Sequence, residues 1–171
     1  NTRFGSGAFR SQRAQSMSWT LMTRNMPPLV SEKRTKKPLG SFLSSVCERT
    51  MNGRPIAPRP AQSLEDGLTF LGCNPRLRPE QVVPVLDRLL RGGGMFVRSG
   101  SGALGLCDVA CGRLIGYVEA HINAWDCLGG IAVCSSAGAR VSDYLSDGSL
   151  FHGGPIVAGS PDVFDQLVAL L

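Results

Sequence analysis

The sequence predicts an α/β fold with at least part of its sheet parallel, and three observations carry that reading. From about Ser63 onward, short apolar runs alternate with longer segments of helical period. Glycines and prolines sit at the changeovers, where one element must stop and the next begin. In the middle of the chain a short apolar run passes through a Gly/Ser turn into a helical segment, which is the local pattern of a parallel crossover. In chain order, Leu68-Thr69-Phe70-Leu71-Gly72 reads as a strand, and Pro79 opens a helix at the position where its missing N–H costs nothing. Leu86, Leu89 and Leu90 continue the buried face of that helix, and Gly92-Gly93-Gly94 stops it. Met95-Phe96-Val97 is a short strand, residues 101–111 a helix, and Leu114–Val118 a second strand. Trp125-Asp126 begins an apolar helix that ends near Gly138. Arg140–Tyr144 and Gly154–Gly159 then read as strands, and Pro161–Leu171 as a closing helix.

The 171 residues leave room for one ordinary domain, and with 43% hydrophobic and 18% charged residues the chain can fill a modest core. Arg98, Asp108, Arg113 and Glu119 interrupt the most apolar region, so no membrane-spanning helix is expected, and a cytoplasmic location is the default. The net charge of +5 conceals an asymmetry. Residues 1–60 hold 11 basic residues against two acids, Glu32 and Glu48, whereas the rest holds 7 against 11. The basic balance therefore reports a leader attached to a mildly acidic domain, and no aromatic ladder accompanies its arginines and lysines, so nucleic acid is not the expected partner. Residues 1–50 show no sustained period and read as an irregular, poorly ordered or frame-disrupted segment ahead of a domain at 51–171. Arg3, Arg10, Arg13 and Arg24 with several serines imitate an organellar transit peptide, without a clear amphipathic helix. Opening at Asn1, the chain reads as a processed form, an excerpt or a fragment. The six cysteines include no CxxC pair, and with His121 and His152 as the only histidines a structural zinc site is not expected. Cys107, Cys111, Cys127 and Cys134 read as reduced, buried thiols.

Gly100-Ser101-Gly102-Ala103-Leu104-Gly105 satisfies GxGxxG, and Glu119 ends the next strand. Glycines there admit a phosphate to the backbone, and a helix N-terminus offers unpaired N–H groups. The same pattern serves a tight strand-to-helix turn with no ligand. A nicotinamide site would also need a second βαβ half, and none is visible.

Taken together, residues 98–142 resemble the C-terminal part of the inositol monophosphatase family of magnesium-dependent phosphatases. Arg98-Ser99-Gly100-Ser101-Gly102-Ala103-Leu104 is similar to the family's Arg followed by Gly-Ser/Thr-Ala-Ala-Leu, and Val109-Ala110-Cys111-Gly112 to its Val-Ala-x-Gly. Gly116-Tyr117-Val118-Glu119 matches its strand ending in Glu. Trp125-Asp126-Cys127 matches its Trp-Asp-Ala/Cys signature, continued by an apolar helix into Ala137-Gly138-Ala139-Arg140-Val141, where the family has Glu-Ala-Gly-Gly. Met51-Asn52-Gly53-Arg54-Pro55-Ile56 resembles the family's Asn-Gly-x-x-Ile hairpin, and Ile156-Val157-Ala158-Gly159-Ser160 its last strand, so the resemblance runs over residues 51–171.

The resemblance implies the C-terminal lobe of an αβαβα sandwich and hydrolysis of a phosphate monoester such as an inositol monophosphate with Mg²⁺. It implies Asp126 as a magnesium ligand and Glu119, with Gly100, Ser101 and Gly102, as the groups that hold the polyol. Without the family context, Asp126 would be a helix N-cap and Glu119 a solvent-facing strand end, while Trp125 reads as a packing residue. Other members take nucleotide or sugar bisphosphates and commonly dimerise, so the expected partners are a phosphorylated polyol or nucleotide and a second copy of the chain. Three departures stand out. Leu128 replaces a small residue, Ser136 replaces a Glu, and the Asp-Pro-Leu/Ile-Asp-Gly-Thr/Ser motif that supplies most metal ligands is absent ahead of Asn52. Ser63-Leu64-Glu65-Asp66-Gly67 has some likeness to that motif but follows the hairpin, and is rejected as a metal site. Because phosphoryl transfer needs cations to spread its developing charge, the chain is expected to be inactive alone. The alternatives are a non-catalytic module for polyol phosphates or a partner, and a dinucleotide-binding protein.

Overall fold

Asn52 and Gly53 take φ values of 54° and 74°, the pair of left-handed residues that a two-residue hairpin turn requires. They join β1 (Thr50–Met51) to the antiparallel β2 (Arg54–Pro55). The structure is a computed structural model that describes residues 49–146 and 148–171. The basic segment expected at 1–50 and the transit-like pattern within it therefore lie outside the described residues, apart from the start of this hairpin.

A 3-10 turn at Leu64–Asp66 leads into β3 (Leu68–Gly72), and α1 (Pro79–Arg91) follows with Pro79 as its first residue. The remaining elements are β4 (Met95–Val97), α2 (Gly102–Ala110), β5 (Gly116–Ile122), α3 (Ala124–Ala137), β6 (Arg140–Val141), α4 (Ser149–His152), β7 (Gly154–Gly159) and α5 (Phe164–Val168). The five strands from β3 onward form one sheet in the order β4-β3-β5-β7-β6. β3 pairs in parallel with both β4 and β5, whereas β7 runs antiparallel to β5 and β6. The chain leaves β3 for a neighbour on one side and then crosses to β5 on the other. The helices of the two crossovers consequently lie on opposite faces of the sheet.

Period-2 alternation sorts the strand residues between those faces. Phe70, Tyr117, Ile156 and Ala158 pack with Leu106 and Val109 of α2 and Cys127 and Cys134 of α3. Leu71, Val118 and Val157 pack with Val85 and Leu89 of α1 and Leu167 of α5. Two helices above and two below make a three-layer α/β/α arrangement, in agreement with the α/β lobe expected from sequence.

The structure corrects several details. Leu90 is 48% exposed, and Val85 rather than Leu90 joins Leu89 on the buried stripe of α1, as i, i+4 spacing favours. Leu114 and Ile115 precede β5, which runs on to Ile122. The strand expected at Arg140–Tyr144 pairs over Arg140–Val141 only, because the chain then turns Tyr144 inward to donate its hydroxyl to the Ile122 carbonyl at 2.7 Å. The closing helix contracts to Phe164–Val168, and α4 was not expected at all. Cys127 and Cys134 are buried thiols, whereas Cys107 and Cys111 are half-buried, as is Cys73. Leu128 is 38% exposed, so its larger side chain meets solvent rather than the core, while Ser136 is buried with an unpartnered hydroxyl. Among the described residues, no helix is long and apolar enough to cross a membrane.

Candidate functional site

In an open α/β sheet, a crevice forms beyond the carboxyl ends of the strands where successive connections leave in opposite directions. Here that point lies between β3 and β5. A cavity of about 260 Å³ opens there, lined by residues from the loops that follow β3, β4 and β5. Gly100, Ser101, Gly102, Glu119 and Asp126, separated by up to 26 positions in the sequence, all border it.

Glu119 is the buried floor of the cavity at 5% exposure, in the middle of β5 and not at a solvent-facing strand end. A buried carboxylate without an ion-pair partner must be satisfied by hydrogen bonds. Tyr117 donates its hydroxyl to Oε2 and Asn74 donates Nδ2 to Oε1 at 3.1 Å. Burial, and next the charge of Glu119, push the Tyr117 hydroxyl far above the ordinary tyrosine range, so it stays a donor at any physiological pH. The Tyr117 ring is stacked on Phe70 with centroids 4.9 Å apart, which fixes the hydroxyl's position. Gly72 faces this carboxylate across the β3–β5 pairing, and a Cβ there would overlap the Glu119 side chain. With one lone pair of each oxygen engaged by the protein, the others remain for hydroxyl donors in the cavity.

The loop after β3 is tied down by the same Asn74. Its Nδ2 also donates to the His121 carbonyl at 2.7 Å, and its Oδ1 accepts the Arg76 N–H at 3.0 Å. Arg98, just beyond β4, donates Nη2 to the Cys73 carbonyl at 2.9 Å. Arg76 and Arg98 both line the cavity.

The opposite wall is built from two helix N-termini. Ser101 caps α2, its Oγ accepting the Leu104 N–H at 3.3 Å, and Gly102 is the first residue of that helix. Gly100 takes a φ of +83° to turn the chain into the cap. Asn123, not Asp126, is the N-cap residue of α3; Asp126 is exposed in the first turn, where a carboxylate is favoured by the helix dipole. Trp125 is 78% exposed at the cavity's edge, which overturns the expectation of a packing residue. His121 stays away from the cavity, with Nε2 facing the His152 carbonyl at 3.0 Å and Nδ1 buried without a partner.

Magnesium takes octahedral sets of oxygen ligands, usually from one or two carboxylates, waters and substrate phosphate. Asp126 supplies one free carboxylate, and among the described residues no three His, Cys, Asp or Glu side chains converge on a cation position. The donor set of the described residues is thus incomplete for the resident metals of a phosphatase. The GxGxxG pattern does not build a dinucleotide fold either, since β7 and β6 are antiparallel where a second parallel half would stand.

Sequence reading missed Asn74, Arg76 and the hydroxyl of Tyr117 as parts of the site. The signal available was Asn74-Pro75, a turn dipeptide directly after a strand that the alternation marks as parallel.

The model of the inositol monophosphatase family matches residues 17–170, which carries the family likeness ahead of Met51, where the recognisable motifs begin. An inositol-1-monophosphatase from Synechocystis is 36% identical over 120 residues, covering 69% of this chain and 42% of that protein. A Nus factor SuhB from Haemophilus influenzae is 35% identical over 94 residues, covering 55% of this chain and 35% of that one. The inositol monophosphatase structure from Anabaena superposes with a TM-score of 0.62 at 32% identity, over 71% of this chain and 49% of its own. The chain spans less than half the length of these relatives. The motifs, the layered fold and the match over residues 17–170 together place the chain in the inositol monophosphatase family.

Proposed function

We propose that this chain is the substrate-binding lobe of a phosphatase that hydrolyses a phosphate monoester of a polyol such as an inositol monophosphate, and that it does not turn over by itself. The observation that supports this reading is the convergence of Gly100, Ser101, Gly102, Glu119 and Asp126 on one cavity at the switch point of the sheet. Glu119, held by Tyr117 and Asn74, accepts hydrogen bonds from the polyol hydroxyls. The turn at Gly100–Gly102 presents backbone groups against the other side of the ring. Asp126 would supply one carboxylate toward a Mg²⁺. Magnesium, when bound with a full donor set, supplies the charge neutralisation that phosphoryl transfer needs. Every acid the sequence holds ahead of Asn52 is Glu32 or Glu48, so the missing ligands are not made up by an alternative acidic motif.

The same absence supports a second reading, a non-catalytic module that binds polyol phosphates or a partner, including a second copy of the chain. Titration calorimetry with myo-inositol 1-phosphate, with and without Mg²⁺, separates these possibilities, since the second reading expects binding indifferent to Mg²⁺, and a phosphate-release assay checks the inactivity that both expect. The first reading expects saturable, Mg²⁺-enhanced binding, abolished in Glu119→Gln, with no release of phosphate. Turnover by the purified chain would overturn its inactivity, and binding indifferent to Glu119 would overturn the site.

A further inference from the structure

Cys107 and Cys111 take no part in substrate binding, and the fold gives the pair a place of its own. They lie in line with the exposed Ala103 on one stripe of α2, and both are half-buried. The Cys111 N–H donates to the Cys107 carbonyl at 3.0 Å, so a regular helical turn fixes their spacing. Cys111, the C-cap of α2, borders a second cavity of about 610 Å³, lined among the described residues by the β1–β2 hairpin, Ile56, Ala57 and Cys111. Met51 of the hairpin lines the same cavity, and Nη2 of Arg113 approaches its Sδ at 3.9 Å. A third sulfur thus borders the end of α2 from a different element.

The surroundings favour a soft cation. Residues four apart on a helix hold their Cβ atoms about 5–6 Å apart, whereas a disulfide needs about 3.8 Å, so the pair is too wide to close on itself. A cation bound in line between two thiolates, at about 2.3 Å from each, holds the sulfurs about 4.6 Å apart, a span that fits the helical spacing. The adjacent hard donor is taken, since Asp108 Oδ1 accepts from Arg113 Nη1 at 2.9 Å. Cys134 is committed to the contact between α2 and α3, where its Sγ donates to the Leu106 carbonyl at 3.0 Å. Among the described residues no three His, Cys, Asp or Glu side chains converge, so the four ligands of a structural zinc are lacking. The C-terminal end of the α2 dipole favours positive charge at the pair. Burial, then Asp108 and Cys111, push the Cys107 thiol up, so it keeps its proton at neutral pH until a cation displaces it.

We propose that Cys107 and Cys111 form a binding site for Cu(I), with the Met51 thioether as a weaker third ligand. Thiolates and thioethers select such soft ions, and two or three of them satisfy Cu(I) where zinc takes four ligands. The site lies at the opposite end of α2 from the substrate cavity, and it stands or falls separately from the substrate-binding reading.

The test is an anaerobic titration of the reduced full chain with Cu(I) in competition with bicinchoninate, read by the absorbance of the bicinchoninate complex. A single Cu(I) is expected to be withdrawn by the pair. Outer-shell changes at metal sites cost about 10–100-fold in affinity, so loss of a ligand in Cys107→Ser or Cys111→Ser should cost at least about a hundredfold. Met51→Leu should cost less than either. All three variants keep the remaining cysteines, and circular dichroism checks their fold; if Cys107→Ser does not fold, Cys111→Ser at the C-cap decides alone. Unchanged Cu(I) affinity in Cys111→Ser would overturn the site, as would zinc binding as tight as Cu(I) binding in the unaltered chain.

Discussion

The two faces of the sheet are built from the same strands and carry different burdens. The face under α1 and α5 is almost wholly aliphatic, with Leu71, Val118, Val157, Leu89 and Leu167 in its cluster, Phe164 as the single aromatic among the described residues and no ionisable side chain. The face under α2 and α3 stacks Phe70 on Tyr117, buries the Cys127 and Cys134 thiols, and runs out at Glu119 into the cavity. Both close the core equally well, since each holds side chains at zero exposure. The difference shows that this chain concentrates its chemistry on one face and leaves the other to packing, so that damage to the two faces should have separable consequences.

The largest expected effect tests that separation. Leu89 and Leu106 are both fully buried, one on each face. Truncation of either to alanine removes the same atoms and should cost about 3 kcal/mol, measured by denaturant unfolding. Leu89→Ala should leave ligand affinity unchanged in the folded fraction. Leu106→Ala should also weaken binding, because Leu106 wedges α2 against Gly130 of α3 and both helices present their N-termini to the cavity. Equal effects of the two variants on affinity would break the comparison.

A smaller effect is expected from Tyr117→Phe. The ring and its stacking on Phe70 are retained, and only the donor to Glu119 is lost. A buried carboxylate deprived of one of its two protein donors should cost about 2 kcal/mol in stability and several-fold in ligand affinity. If the cost acts through Glu119, the double variant Tyr117→Phe with Glu119→Gln should lose less than the sum of the two single changes.

The thiols of the chemical face add a pH signature. Burial pushes the Cys134 thiol up to about 12 from 9.0. Between those values the unfolded chain has released its proton while the folded chain retains it, so the folded state is favoured less as pH rises. The thiol's contribution is fully present below pH 9 and is lost through the window up to 12. Unfolding at pH 8 and pH 10 should show a loss of about 1 kcal/mol that Cys134→Ala lacks. Among the described residues, the cluster under α1 and α5 holds no ionisable group.

Local signals made much of this architecture legible. Gly92-Gly93-Gly94 ends α1 as expected, Pro79 begins it, Gly138 closes α3 in a left-handed conformation, and every strand of the large sheet except β6 has an apolar run to mark it. What escaped depends on long-range pairing. The period of α1 identifies a stripe without saying how wide the covering surface is, so Leu90 belongs to the stripe by period and yet stands in solvent. Glu119 is buried because β5 lies between β3 and β7, a fact of strand order that no window of sequence contains. Asn74 and Arg76 join the cavity only because their loop ends beside Glu119 from 45 residues away. The motif residues were legible through their order and spacing, whereas the groups that support them had no motif of their own.

The smallest effect concerns a polar flaw on the face under α1 and α5. Thr69 precedes Phe70 and follows an exposed Leu68 in β3, so alternation places its side chain with Leu71 under α1 and α5. It is fully buried, and its hydroxyl has no hydrogen-bond partner. Valine has nearly the same shape without the hydroxyl, and its β-branch suits a strand equally well. Thr69→Val should therefore stabilise the chain by about 1 kcal/mol in denaturant unfolding, with ligand affinity unchanged. A loss of stability would mean that the hydroxyl is satisfied in solution by an internal water, and that the packing face is wetter than its aliphatic lining implies.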